Sequence, residues 1–293
     1  MIDFPLIGGS FLVAIVVGLT GMGGGALMTP MMMLFFNVPP LAAVSSDLVA
    51  SAVMKPVGSV VHLRRGTVNL RLVAWLCAGS VPAAFCGVFL ARAFAVTDAV
   101  KYALGVALLL AVAGMVIKAW LGRRQGSSST HDIVVRPIPT LLVGMVGGLV
   151  VGVSSVGSGS LIIVALLVLY PALKANQLVG TDLVQAVPLV AAAALGHLLF
   201  GDFQLDLTVS LLIGSIPGVY LGARVSSRAP GGLIRAMLAI VLLASALKLL
   251  DASNTLTVGA LAVAVVVTVV GWRISIRVSG RGSSESKDLA RAG

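Results

Sequence analysis

Charged residues are scarce in this chain. Asp, Glu, Lys and Arg make up 10% of the 293 residues, whereas 58% are hydrophobic and the mean hydropathy is +1.10. A soluble globular domain carries about 25% charged residues, so this composition excludes that class. Alternating segments of the outer-membrane barrel type are also missing, because the apolar runs are long and rich in Leu, Val and Ala. The sequence therefore predicts an all-α fold, a polytopic helical membrane protein.

Residues that carry chemistry are equally sparse. The only cysteines, Cys77 and Cys86, fall in one predicted helix, about 14 Å apart along its axis, too far to form a disulfide. The sequence contains no Cys/His metal cluster, no nucleophile beside a base and no nucleotide-binding motif. We therefore predict that the protein is not an enzyme and has no cofactor and no metal site.

The net charge of +10 does not indicate a nucleic-acid partner. Aromatic residues make up only 5% of the chain, and the Lys and Arg residues lie in short loops and in the C-terminal tail. The positive-inside rule explains this pattern better, so we predict a multi-pass protein of the cell (inner) membrane. Residues 1–5 lack the basic region of a signal peptide, and we expect the first helix to be retained.

Two long apolar runs are interrupted by glycine and hydroxyl residues, at residues 18–27 and 152–161. Each run is roughly 30 residues long, whereas a membrane-spanning helix needs only about 20. Each run is therefore predicted to form two short helices, broken or re-entrant. Such breaks are tolerated at membrane depth only where the freed backbone groups face protein, water or a ligand, so the pair marks a site.

The second half of the chain repeats the first. When Gly18 is aligned with Gly152, one inserted residue brings Asp47 onto Asp182 and His62 onto His197. The predicted units are a first membrane repeat, a basic cytoplasmic linker, a second repeat, an extra C-terminal transmembrane helix and a disordered cytoplasmic tail. Their ranges are 1–120, 121–137, 138–250, 251–273 and 274–293.

The matching loops of the two halves carry opposite charge. Residues 64–71 contain three arginines, whereas residues 201–206 contain two aspartates. By the positive-inside rule the first loop is cytoplasmic and the second external. The two repeats are therefore predicted to be inverted relative to each other in the membrane.

Several of these motifs together resemble a known family. They are the Gly-rich break, the Asp-Leu-Val element at Asp47, the His-Leu-x-x-Gly element at His62 and the Gly-Ser-x-Pro element at Gly79. This arrangement resembles the TauE/SafE family of sulfite exporters, also called the toluene sulfonate uptake permease family, over residues 18–92 and 152–224. The resemblance implies a transporter of sulfur-containing anions such as sulfite, sulfoacetate or another organosulfonate.

Both breaks supply candidate substrate-binding residues. Glycine lets the backbone approach a ligand, hydroxyl groups add donors, and the short helices that start near Gly25 and Ser158 point their positive ends toward mid-membrane, which favours an anion. The alternative is close helix packing, since both breaks contain small-xxx-small patterns, and both roles can hold on different faces. The candidates are Thr20, Gly21, Gly23, Gly24, Gly25, Ser154, Ser155, Gly157, Ser158 and Gly159.

Lys55 is a further candidate for substrate binding. It lies deep in the predicted span 41–63, where a charge is costly unless it lines a cavity or has a partner. The alternative is an internal pair with Asp47, but that residue is about 12 Å away along a straight helix. The repeat counterpart of Lys55 is Val190, so the site is expected to be asymmetric.

Other polar residues are candidates for coupling or gating. Each aspartate follows a hydroxyl residue, a pattern that also suits a helix N-cap, whereas the histidines suit interfacial anchors or partners of a helix C-terminus. The functional alternative is coupling to a proton or a sodium ion. These candidates are Ser46, Asp47, His62, Thr181, Asp182 and His197.

The sequence thus predicts a secondary transporter that binds a small sulfur-containing anion at mid-membrane between two inverted repeats. Its partners would be that anion, the lipid bilayer and a proton or sodium co-substrate. One alternative is a cation or metal carrier that uses Asp47 and Asp182, although further intramembrane carboxylates or thiols are lacking. Another alternative is a membrane scaffold in which the glycines serve packing alone.

The inverted topology can be tested by labelling single cysteines, Val68→Cys and Gln204→Cys, in a chain whose native cysteines are replaced. The first loop is predicted to be cytoplasmic, so position 68 should be protected in intact cells, whereas an impermeant thiol reagent should reach position 204. Labelling of both positions from the same side would show that the halves are not inverted.

Overall fold

In a computed structural model of the chain, residues 3–20, 24–94, 98–122, 134–173, 175–226 and 231–266 are described, and their regular structure is helical, without a β-strand among them. This confirms the predicted all-α class. The first compact unit, Met1–Leu250, contains α1 Phe4–Thr20, α2 Gly25–Phe35, α3 Pro40–Arg64, α4 Leu70–Ala93, α5 Ala99–Gly122, α6 Pro137–Ser154, α7 Leu161–Leu169, α8 Ala175–Phe200, α9 Leu205–Ser226 and α10 Gly231–Leu249. The second unit, Asp251–Gly293, contains α11 Asn254–Val266.

Both apolar runs form two helices, as predicted. The short helices α2 and α7 have 11 and 9 residues, about 16 and 14 Å in length, so neither crosses a hydrocarbon core of about 30 Å alone. The helix α2 begins at Gly25, as expected, but α7 begins at Leu161, three residues after the predicted start at Ser158. The second break is therefore longer than the sequence indicates.

The backbone of the second break explains this difference. Ser155, Gly157 and Gly159 have φ angles of 59°, 126° and 96°, so the chain enters the left-handed half of φ/ψ space three times within five residues. A right-handed helix cannot continue through such a segment. Glycine adopts these angles without a Cβ clash, which accounts for two of the three residue types.

The protein is a multi-pass membrane protein. Five described helices are long and apolar enough to cross a membrane: Leu70–Ala93, Ala99–Ile117, Pro137–Ser154, Gln177–Phe200 and Leu205–Gly222. The helix α3, which carries the predicted polar span, continues through Pro56 for 25 residues, or about 37 Å. Most of the predicted basic linker, the end of the predicted C-terminal helix and the predicted tail lie outside the described residues.

Helices of the two halves of the chain pack against each other. The helix α1 packs on α9, α4 on α6, α3 on α8 and α5 on α10. In the repeat alignment α1–α5 correspond to α6–α10. When the halves are exchanged, the α1–α9 contact becomes the α4–α6 contact, and the α3–α8 and α5–α10 contacts stay the same. A twofold relation between the halves would produce this pattern, and the inverted orientation stays a prediction.

Small residues bring two of these helix pairs into backbone contact. Glycines at four-residue spacing face the carbonyl groups of the partner helix, the small-xxx-small arrangement known from membrane helices. On α6, Gly144, Gly148 and Gly152 lie against the carbonyls of Leu76, Ser80 and Ala84 of α4. On α9, Gly214, Gly218 and Gly222 lie against the carbonyls of Ile7, Phe11 and Ile15 of α1. The α4–α6 pair and the α1–α9 pair are thus packed closely in the same way, through glycines on one helix against carbonyls of the other.

Gly148→Ala should lower the thermal unfolding midpoint in detergent. The added Cβ would lie 2.7 Å from Ser80 Cα and closer still to the Ser80 carbonyl, and backbone cannot move aside as a side chain can. Overpacking of this kind costs about 1–3 kcal/mol. Gly8→Ala on α1 is the matched control, because its Cβ would meet nothing within 4 Å and the midpoint should hold or rise. Equal midpoints for the two variants would contradict a backbone contact at Gly148.

Candidate functional site

The two helix breaks meet in the structure. A Cβ on Gly25, the first residue of α2, would fall on the carbonyl oxygen of Ser155 in the second break. Both residues are buried, and Ser155 is the left-handed residue that ends α6. Close packing is therefore one role of Gly25. The contact brings the start of α2 and the end of α6 to one point.

Asp47 of α3 holds both broken segments together. Its Oδ2 accepts hydrogen bonds from the hydroxyl of Thr29 on α2, at 3.0 Å, and from the hydroxyl of Ser155 in the second break, at 2.6 Å. The side chain is fully buried, and its Oδ1 has no hydrogen-bond partner among the described residues. One carboxylate oxygen thus joins α2, α3 and the second break.

The N-cap interpretation of the two aspartates is wrong. The helix α3 begins at Pro40 and α8 at Ala175, so Asp47 and Asp182 lie about two turns inside their helices. The amides of an interior turn already donate to the helix, and an aspartate there has no free N–H group to cap. Both carboxylates are buried in the helical bundle instead.

Lys55 makes the second contact between α3 and the second break. Its side chain is only 9% exposed, and Nζ donates a hydrogen bond of 2.5 Å to Ser158 Oγ. The carboxylates of Asp47 and Asp182 both interact electrostatically with its charge. The helix α3 therefore holds the second break at two points, through a carboxylate at Ser155 and through an ammonium group at Ser158.

Lys55 lies on the part of α3 that packs against α8. Ser45 Oγ is 2.8 Å from His197 Nδ1, and Ser59 Oγ donates to the carbonyl of Leu183 at 2.9 Å. Because numbering rises along α3 while it falls along α8, the two helices run antiparallel. Lys55 falls between these two contacts, where the halves of the chain meet.

Two candidate coupling residues each make a hydrogen bond to a loop of the other half, Ser46 as donor and Thr181 as acceptor. Ser46 Oγ donates to the carbonyl of Gln204 at 3.4 Å, and Thr181 Oγ1 accepts from the backbone N–H of Asn69 at 3.1 Å. Ser46 and Thr181 are repeat counterparts, and Asn69 and Gln204 are counterparts as well. Each hydroxyl ties a helix to the loop of the other half.

The two histidines differ, although the sequence treats them alike. Both lie in the last turn of their helices. His62 is partly exposed, and its Nδ1 is 3.0 Å from Thr67 Oγ1. His197 is fully buried, and besides its contact with Ser45 its Nε2 lies 2.8 Å from the carbonyl of Gly152. It therefore links α3 to the end of α6, just before the second break.

The remaining candidates are distributed around this centre. The hydroxyl of Ser154 is committed to the carbonyl of Val150, at 2.7 Å, so it is a poorer donor for a ligand than the sequence suggests. Gly24 is buried, and a Cβ there would make ordinary contacts of 3.6 Å with Met28 and Met54. Gly21, Gly23 and the side chain of Thr20 lie outside the described residues.

Sequence reasoning missed two buried polar residues. Thr29 is the only hydroxyl residue of the Met-rich helix α2, and this is the sequence feature that could have identified it as a buried polar contact. Gln185 lies one turn after Asp182 and donates from Nε2 to Ser80 Oγ at 2.8 Å, while its Oε1 has no partner among the described residues. Within the described part of the chain, no group of three or more His, Cys, Asp and Glu could hold a metal ion.

Comparison with known proteins identifies the family. The family model for "Sulfite exporter TauE/SafE" matches residues 6–249. Two similar proteins of Bacillus subtilis (strain 168) are the probable membrane transporter proteins YjnA, 36% identical over 81% of this chain and 96% of the relative, and YdhB, 24% identical over 75% and 89%. No solved structure matches the chain. The chain thus belongs to the TauE/SafE sulfite exporter family and is a multi-pass membrane transporter.

Proposed function

We propose that the protein is a secondary transporter of a small sulfur-containing anion, such as sulfite, sulfoacetate or another organosulfonate, in the cell inner membrane. The anion binds at mid-membrane between the two helix breaks. The observation that carries this proposal is the buried Lys55 ammonium group, whose hydrogen bond is made to a hydroxyl of the second break. The name of the matched family supports the same class of substrate.

Lys55 supplies the charge that an oxyanion requires. A buried lysine in a membrane-spanning region is costly and marks a substrate or ion pathway by default. Its partner Ser158 is a neutral hydroxyl, so an incoming sulfur oxyanion competes with a weak acceptor for the ammonium group. The bond to Ser158 already has an ionised donor, so what the oxyanion adds is the attraction between two opposite charges in a buried site, which favours this exchange.

The starts of the short helices add donors without adding charge. Neither Gly24 before α2 nor Ser160 before α7 makes a side-chain hydrogen bond to the first turn of its helix. Backbone carbonyls take some of the first N–H groups, since Leu161 N–H donates to Gly157 and Leu27 N–H to Gly24. What both helices offer an anion is therefore mainly their positive dipole ends. Neutral donors and one cation suit a ligand that must also leave the site.

The alternatives are less well supported. A cation or metal carrier would use Asp47 and Asp182, but Lys55 interacts electrostatically with both carboxylates. A scaffold without transport activity gives no reason to retain a buried lysine, because a neutral residue would stabilise the fold more. The contacts made by the helices of one half match those made by the corresponding helices of the other half. This match supports inverted repeats, an arrangement found in many transporters.

Lys55→Met should abolish flux while leaving the protein folded. The substitution keeps the length of the side chain and removes a costly buried charge, so expression and thermal stability should hold or improve. Flux of labelled sulfite into proteoliposomes measures the loss, and Lys248→Met, at an exposed position in the last turn of α10, is the matched control. Ser158→Ala should reduce anion affinity by only about one hydrogen bond, roughly 1 kcal/mol. Normal sulfite flux in the Lys55→Met protein would remove Lys55 from the site.

Gly25→Ala should reduce flux and thermal stability together. The new Cβ would overlap the Ser155 carbonyl and separate the two breaks, at a cost of about 1–3 kcal/mol. Gly8→Ala on α1 is the control, since its Cβ would meet nothing within 4 Å and it lies outside the proposed site. It is a cleaner comparison than a substitution of Gly157, whose φ of 126° strains any other residue. If both alanine variants behave like the unmodified protein, the contact between the breaks does not matter for transport.

A further inference from the structure

We propose that Asp47 binds a proton that crosses the membrane together with the anion, and that the second break, residues 155–160, couples the two binding events. The coupling rests on the proposed function, because it places the anion at Lys55 and Ser158. The proton site itself stands on the geometry of Asp47 and can be tested without any anion.

The surroundings of Asp47 leave one oxygen atom for a ligand. The side chain is fully buried, Oδ2 takes the hydroxyls of Thr29 and Ser155, and Oδ1 has no hydrogen-bond partner among the described residues. Lys55 interacts electrostatically with Asp47, but it lies eight residues, or about 12 Å, farther along the helix axis, and its hydrogen bond goes to Ser158. A buried carboxylate without a contacting cation is costly in a membrane, and a proton on Oδ1 neutralises it.

A proton fits this site better than a metal ion. One unoccupied carboxylate oxygen is enough to bind a proton, whereas hard divalent cations take six or more oxygen ligands. Within the described part of the chain, no cluster of three or more acidic, His or Cys side chains supplies such a set. The hydroxyls of Thr29 and Ser155 stabilise the ionised form, so the carboxyl group has a favourable partner set after it releases its proton as well.

Other titratable groups face this region from the neighbouring helices. The helix α2 and residues 155–160 of the second break contain none. His197 on α8 contacts Ser45, two residues before Asp47, and Asp202, in the loop before α9, donates its backbone N–H to the same hydroxyl. The groups that any titration must separate from Asp47 are Lys55, Asp182, His197, Asp202 and Asp206.

The second break connects this proton site to the anion site. Ser155 and Ser158 lie three residues apart in one segment, and α3 holds the first through a carboxylate and the second through an ammonium group. Protonation weakens the first bond, because charge-assisted hydrogen bonds are about twice as strong as neutral ones. An anion that binds the ammonium group of Lys55 replaces the second bond. Both ligands therefore act on the same segment.

Electrostatics makes the two binding events cooperative. Neutralising Asp47 removes a negative charge that repels the anion and leaves the charge of Lys55 less compensated. If the anion is as far from Asp47 as the rise of about 12 Å between Asp47 and Lys55 along α3, an effective dielectric constant of about 20 gives roughly a tenfold gain in anion affinity. By linkage the anion raises the affinity for the proton by the same factor. Cooperative binding favours the carrier that holds both ligands at once, which is the state that transport of both in the same direction requires.

The proton site can be tested by infrared difference spectroscopy of the purified protein, with no anion substrate present. Acidification should produce the carbonyl stretch of a protonated buried carboxyl group, and Asp47→Asn should remove this band. Asp98→Asn, at an exposed position before α5, should retain it. A band that survives in the Asp47→Asn protein, or that is lost only in Asp182→Asn, would overturn the assignment. If sodium at constant pH abolishes the band, the ligand is sodium and the proton proposal is wrong.

Coupling can be tested in proteoliposomes with labelled methanesulfonate, whose sulfonate group does not titrate near neutral pH. An inward proton gradient should drive its accumulation, and Asp47→Asn should abolish this accumulation while exchange of labelled for unlabelled anion continues. Gradient-driven accumulation by the Asp47→Asn protein would refute the coupling. A chain that moves neither methanesulfonate nor sulfite would refute the proposed function, and the infrared result would still decide the role of Asp47.

Discussion

The hydrogen bond from Ser155 to the buried carboxylate of Asp47 fixes the centre of the protein. A break in a membrane helix frees backbone groups that lipid cannot satisfy, so the broken segment needs partners from the protein itself. Asp47 anchors the second break and the helix that follows the first, because it accepts hydrogen bonds from the side-chain hydroxyls of Ser155 and Thr29. The contact between Gly25 and Ser155 then closes the two segments onto each other.

The protein combines a nearly symmetric framework with an asymmetric centre. The contacts between helices are the same set when the two halves are exchanged in the repeat alignment. Ser46 and Thr181, which are repeat counterparts, each make a hydrogen bond to the loop of the opposite half. Lys55, however, corresponds to Val190, and Ser155 corresponds to Gly21. Gly21 and Val190 have no side-chain hydroxyl or ammonium group, so they cannot make the hydrogen bonds that Ser155 and Lys55 make at the second break. A repeated fold supplies two equivalent frames that both contain an aspartate, and a few substitutions place the lysine and the hydroxyl of Ser155 in one of them.

Much of this arrangement could be predicted from the sequence, because run length and hydropathy are local quantities. The excess length of two apolar runs predicted α1, α2, α6 and α7, and the depth of Lys55 in its span singled it out. Partners that depend on tertiary contacts could not be predicted. The burial of His197 follows from its contacts with Ser45 and the Gly152 carbonyl. The position of Thr29 beside Asp47 requires the fold of α2 against α3, which a hydroxyl residue in an apolar helix does not reveal.

The backbone contact between α1 and α9 also affects how the chain is made. The helix α1 is synthesised first, yet its glycine-bearing partner α9 does not begin until Leu205. At about 5–20 residues per second, synthesis of the intervening segment takes roughly 10–40 seconds. During this time α1 sits in the bilayer or against the insertion machinery with the groove for α9 unfilled. The two halves are interlaced, so neither half is a complete folding unit, and packing is finished only when nearly the whole membrane region has been inserted.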